Sequence, residues 1–159
     1  MLYYRQWHWL LLHEIYIDGS SRGNPGPSGI GIIALKDSYR LYSYREFIGI
    51  KTNNQAEYIA LKRALQITHL HTSKIRIKSD SILLVNQRLK KYKIRNIELK
   101  NISMEIANLE KLFDTIEYKH IKRNENYDAD LQANSAVDDY IKYQKNNLNN
   151  GSSEDSELY

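Results

Sequence analysis

The hydrophobic period of this chain changes once, near residue 52, and that change limits the folds open to it. Before it come three strand-like runs: "EIYID" at 14–18, "GIGIIALKD" at 29–37 and "YRLYSYREFIGI" at 39–50. Their period-two patterning and short connections predict a three-stranded antiparallel meander. After it, "TNNQAEYIALKRALQI" (52–67) has Asn near its start, a good N-cap, and continues in strong helix formers. The spacing then predicts a strand over 73–80, a short helix in "SILLVNQRLKKY" and a longer amphipathic one over 96–112. A strand over 115–121 and a last helix over 126–143 follow. The order βββ, αβ, αα, β, α predicts a mixed α/β sheet flanked by helices. The tail 144–159 is polar and poor in core-forming residues, so it is expected to be disordered.

A chain of 159 residues fits one domain and buries enough surface to fold without staples. The domain is expected over 13–143, after an N-terminal extension 1–12. No cysteine is present, which excludes disulfides, thiolate zinc sites and a cysteine nucleophile. That composition fits a reducing compartment, and the expected location is cytoplasmic. The net charge of +4 is compatible with a polyanionic partner without establishing one. No run approaches the ~20 apolar residues of a membrane span, so no membrane partner is expected. Three readings fit the aromatic start "MLYYRQWHWLLLH": a lead-in to the first strand, a packing arm, or an upstream start codon.

Four acids occupy positions that need an explanation, because Asp and Glu are rarely buried unpaired. Asp18 ends the first strand, where residues of an α/β sheet line ligand crevices; it also suits a turn. Glu57 is placed in the first turn of its helix, where acids suit the dipole. It nevertheless shares a face with Leu61, Ala64 and Leu65. Asp80 ends a strand before a helix, where an ordinary N-cap would also stand. Asp130 lies within the last helix on the side of Val137 and Ile141, at a poor place for Asp. If the strand ends meet on one side, the four converge. Clustered carboxylates repel, and divalent cations remove that penalty.

Four blocks carry a resemblance: "YIDGSSRGNPGPSGIG", "TNNQAEYIALKRAL", "IKSDS" and "NYDADLQAN". In this order and spacing they resemble the type 1 ribonuclease H family, over roughly residues 13–140. The resemblance implies a ribonuclease H-like fold, with a five-stranded mixed sheet flanked by helices. It implies hydrolysis of the RNA strand of RNA–DNA hybrids, leaving 5′-phosphate and 3′-hydroxyl ends. It implies metal binding by Asp18, Glu57, Asp80 and Asp130 with two Mg²⁺ ions, for which Mn²⁺ can substitute. Asp128 is the neighbour outside the family pattern Asn-x-x-Ala-Asp. Substrate-binding positions carry over to Ser21, Asn24, Thr52, Asn54 and Gln55, and a monomer is expected.

The chain departs from the family at two places. Many bacterial members have a histidine in the loop before the last helix; here the loop is "KRNEN". Arg123 resembles the arginine of a branch that includes archaeal members, with a role in product release or phosphate binding. His120 falls in the preceding strand and receives no role. The basic handle of some bacterial members is missing, and the shorter "QRLKKYKIRN" either contacts phosphates or forms a solvated turn. Two further readings are a retroelement-derived nuclease on the same fold and a non-catalytic hybrid-binding module. Retention of all four acids weighs against the last.

Overall fold

A computed structural model describes residues 12–151. The aromatic segment 1–11 and the tail from 152 lie outside the described residues. Five strands form one sheet in the order β3-β2-β1-β4-β5. They are β1 (His13–Ser21), β2 (Gly26–Lys36), β3 (Tyr39–Lys51), β4 (Lys74–Ser79) and β5 (Thr115–His120). The first three are antiparallel, and β4 and β5 run parallel to β1. The hairpin between β2 and β3 turns on Asp37 and Ser38, both at positive φ. Two left-handed residues in a two-residue loop match the twist of the flanking strands.

Among the described residues four α-helices follow: α1 (Asn53–Thr68), α2 (Ile82–Arg88), α3 (Ile97–Glu110) and α4 (Tyr127–Gly151). Thr52, one residue before the expected Asn, caps α1; its hydroxyl accepts from the Gln55 amide, and the Gln55 side chain accepts from the Thr52 amide. This reciprocal capping box satisfies two otherwise orphaned donors. Helix α4 runs eight residues past its expected end at 143, so the segment to Gly151 is helical where disorder was expected. The reason is local: "QKNNLNN" contains no proline and simply continues a helix already nucleated by its packed first half.

The sheet alternation sorts its two faces. Ile15 and Ile17 of β1, Ile30 and Ile32 of β2, and Ile75 and Ile77 of β4 are fully buried, with Leu61 and Leu65 of α1 and Ile106 of α3 in the same core. At ~25 cal/mol per Å², burying each such side chain contributes about 1.5–3 kcal/mol. The Tyr58 hydroxyl, buried in this layer, donates to Gln87 Oε1 at 2.6 Å. Helix α4 covers the opposite face over β2, with Ala129, Ala133 and Val137 buried. Among the described residues no helix is long and apolar enough to cross a membrane.

Candidate active site

Parallel pairing brings the strand-end acids together. β4 lies beside β1 with Tyr16 opposite Lys78, so two residues further along each strand reach Asp18 and Asp80 at the same sheet end. The intervening α1 makes the crossover that parallel neighbours require. Asp80 does not cap the next helix. That role falls to Ser81, whose hydroxyl accepts from the Leu84 amide at 3.3 Å and leaves the Asp80 carboxylate for other partners.

Glu57 is the fifth residue of α1 and lies beyond its first turn, so the helix dipole does not account for it. Gly19 does. A Cβ on Gly19 would sit 2.2 Å from the Ala56 carbonyl carbon, so only glycine lets α1 press against the end of β1. The Gly19 amide faces the carboxylates of both Asp18 and Glu57 and favours their ionised forms.

Asp130 is in the first turn of α4, not its interior, because the helix starts at Tyr127. An acid is favourable there. Helix α4 reaches the site by another close approach: a Cβ on Gly31, the partner of Asp18, would lie 2.1 Å from the Ala129 carbonyl oxygen. Asp128 points elsewhere and pairs with Arg40, as its place outside the family pattern implied.

Carboxylate oxygens of Asp18, Glu57 and Asp80 lie within 4.8 Å of one another. Asp130 lines the same open cleft of about 510 Å³. Burial pushes the Asp18 carboxyl up to about 7, helped by Asp80 and then Asp130 and opposed by Arg123 and the Gly19 amide. Burial also raises Glu57 well above the ordinary range, with Asp18 and Asp80 adding to it. Glu57 Oε2 is buried without a hydrogen-bond partner. Like-charged carboxylates, one with an orphaned oxygen, fit a cation held between them. An all-oxygen donor set suits a hard divalent ion.

Arg123 projects over the cleft, mostly exposed, with Nη2 3.6 Å from Asp130 Oδ1. The five expected substrate-binding residues flank the cleft without lining it. Ser21 donates to the Gly23 carbonyl and, at 2.8 Å, to that of Lys51, pinning the β1–β2 loop. Asn24 Oδ1 accepts from the Asn53 amide at 3.1 Å. Thr52 and Gln55 form the capping box, and Gln55 also donates to Glu98. Asn54 is exposed. Of the basic stretch 87–96, Arg88 turns inward onto Glu110 at 2.6 Å, leaving Lys90, Lys91, Lys93 and Arg95 exposed.

Sequence reasoning passed over three residues of this site. Asn53 and His120 line the cleft, and Asn126 is buried beneath it. His120 Nε2 stands 3.3 Å from the Asp80 carbonyl oxygen. Its signal was the β5 register: Ser79 pairs with His120, which places the end of β5 beside Asp80.

A five-stranded sheet in this order, carrying carboxylates over the ends of its adjacent central strands, defines an acid-centred α/β domain of the kind that holds divalent cations. The chain belongs to the type 1 ribonuclease H family, whose RNase H profile matches residues 12–144. It is 35% identical over 126 residues to the ribonuclease HI of Halobacterium salinarum, covering 78% of this chain and 63% of that protein. It is 34% identical over 127 residues to a bifunctional protein of Mycobacterium tuberculosis, covering 78% of this chain and 35% of that one. The chain thus spans less than two thirds of the length of these relatives. LC11-RNase H1, solved in complex with RNA/DNA hybrid, superposes with a TM-score of 0.78 at 34% identity, covering 81% of this chain and 99% of that one.

Proposed function

We propose that this protein is a ribonuclease H, an endonuclease that hydrolyses the RNA strand of RNA–DNA hybrids. The observation that carries the reading is the convergence of buried Asp18 and Glu57 with half-buried Asp80, and Asp130 on the same cleft. The complex of LC11-RNase H1 with RNA/DNA hybrid supports the substrate class.

Asp18, Glu57, Asp80 and Asp130 would hold two Mg²⁺ ions, with Mn²⁺ as a substitute. Bound there, such ions would activate a water for attack on phosphorus and neutralise charge on the leaving oxygen. Asp18, which feels the charges of both Asp80 and Asp130, would hold such cations from the end of β1. Burial keeps bulk water away from Glu57, so its charge is directed at whatever the cleft holds. Arg123 offers an exposed guanidinium fork for a phosphate passing Asp130. The P–O3′ bond breaks, leaving a 5′-phosphate on one fragment and a 3′-hydroxyl on the other. RNA is told from DNA by its 2′-hydroxyls, which Glu57, Asn24 of the β1–β2 loop, and Asn53 and Asn54 at the start of α1 would meet. The enzyme acts as a cytoplasmic monomer.

The test is incubation of labelled hybrid with Mg²⁺ or Mn²⁺, then with chelator, beside single-stranded RNA, duplex RNA and duplex DNA. The expected result is cation-dependent cleavage of the RNA in the hybrid. Cleavage that persists in chelator would refute the metal mechanism, and an intact hybrid under all conditions would refute the activity.

A further inference from the structure

Asn126 is 1% exposed, yet no apolar residue stands in its place directly under a cluster of carboxylates. It lies where the 3₁₀ turn Arg123–Glu125 ends and α4 begins. Three parts of the site meet at it. Its Nδ2 donates to the Ile17 carbonyl, one residue before Asp18, at 2.9 Å. The same Nδ2 lies 3.3 Å from Asp80 Oδ1. Its backbone carbonyl accepts from the Asp130 amide at 3.1 Å, closing the first turn of α4.

We propose that Asn126 is a positioning residue of the metal site, holding the Asp80 carboxylate in register with β1 and with the start of α4. The inference rests on the ribonuclease H reading, because it presumes that the acids bind divalent cations. Chemistry selects the amide. Aspartate is the same size, but it would add another buried negative charge and lose the donor that reaches Ile17 and Asp80. Alanine would leave the Ile17 carbonyl unpaired and the Asp80 carboxylate free to rotate. Leucine would fill the volume and do neither job. Asn126 Oδ1 is buried without a partner, so the side chain is retained at a cost in stability that its Nδ2 contacts must offset. Groups that orient a metal ligand from behind typically change metal affinity or activity ~10–100-fold when removed.

The experiment measures Mn²⁺ binding by electron paramagnetic resonance on the full chain, without substrate, for wild type, Asn126→Ala, Asn126→Gln and Asp80→Ala, and for the double variant Asn126→Ala/Asp80→Ala. The Mg²⁺ half-saturation of hybrid cleavage is measured alongside. Expected is at least a ~10-fold weaker Mn²⁺ affinity for Asn126→Ala, a matching rise in the Mg²⁺ half-saturation, and no added loss in the double variant over Asp80→Ala alone. Should Asn126→Ala fail to fold, Asn126→Gln, which retains the amide, supplies the comparison and is expected to bind more weakly through its displaced donor. Wild-type binding with either folded variant bound within twofold overturns the positioning role alone. Absence of Mn²⁺ binding by wild type overturns the ribonuclease reading, and this inference with it. Additive losses in the double variant also overturn it, because they would show that Asn126 acts other than through Asp80.

Discussion

Replacing Asp18 by Asn should stabilise the metal-free protein while removing its activity. In the folded state the Asp18 carboxyl is raised to about 7 from its ordinary 3.8. Below both values the group is protonated whether the chain is folded or not, and it does not affect stability. Between them the folded state binds the extra proton, so stability falls as pH rises. Above about 7 the carboxylate is ionised in both states and the penalty is complete. At 1.36 kcal/mol per unit the penalty reaches about 4 kcal/mol. For a chain of this size that is about 8–16 °C in melting temperature. Asparagine cannot ionise and keeps an oxygen to face the Gly19 amide. Thermal melts in chelator at pH 4 and pH 8 test this. Asp18→Asn should melt several degrees above wild type at pH 8, with the gap closed at pH 4. Mg²⁺ at pH 8 should raise the wild-type midpoint and leave the variant nearly unmoved. A variant that melts at or below wild type in chelator at pH 8 would refute the claim that charge repulsion is stored at this carboxylate.

Gly31→Ala should destabilise by about 1–3 kcal/mol through overpacking against Ala129, and should slow hybrid cleavage further by displacing α4 and Asp130; urea denaturation with a cleavage assay separates the two effects. Arg123→Ala should slow turnover with Mn²⁺ binding unchanged, measured by steady-state kinetics beside resonance titration; unchanged turnover would return Arg123 to an exposed loop residue. Arg88→Met should cost about 3–5 kcal/mol in chemical denaturation, because it leaves the Glu110 carboxylate, with Tyr118 on it, without its cation. Neutralising Lys90 and Lys91 should flatten the dependence of hybrid binding on salt by about 1 to 2 log units per log salt if both meet phosphates, and leave it unchanged if the turn is only solvated.

Much of this architecture was legible because period and position agree. The strands before residue 52 alternate, the helices after it carry apolar stripes, and each expected element is found. The acids were legible as a set because four blocks matched a family, not because any one position was decisive. The sequence could not say which end of β4 meets which end of β1, since that is a property of the crossover, and Asp80 became part of the cluster only through it. Boundaries shifted the local reasoning at two acids: one residue of capping moved Glu57 out of the first turn, and a late start to α4 moved Asp130 into one. Asn126 was invisible for a different reason. It opens the quoted block "NYDADLQAN", but its meaning lies in a long-range contact to Ile17, more than a hundred positions away.

The wide separation of the acids along the chain also orders their arrival during synthesis. Asp18, Glu57 and Asp80 leave the ribosome with the first half of the protein, while Asp130 comes with the last helix. At about 5–20 residues per second, Asp130 is added roughly 3–10 s after Asp80. Until α4 settles against Gly31, the nascent sheet has an uncovered face and an incomplete set of ligands. A carboxylate cluster assembled in this order gains its fourth member only when the chain's own final helix docks.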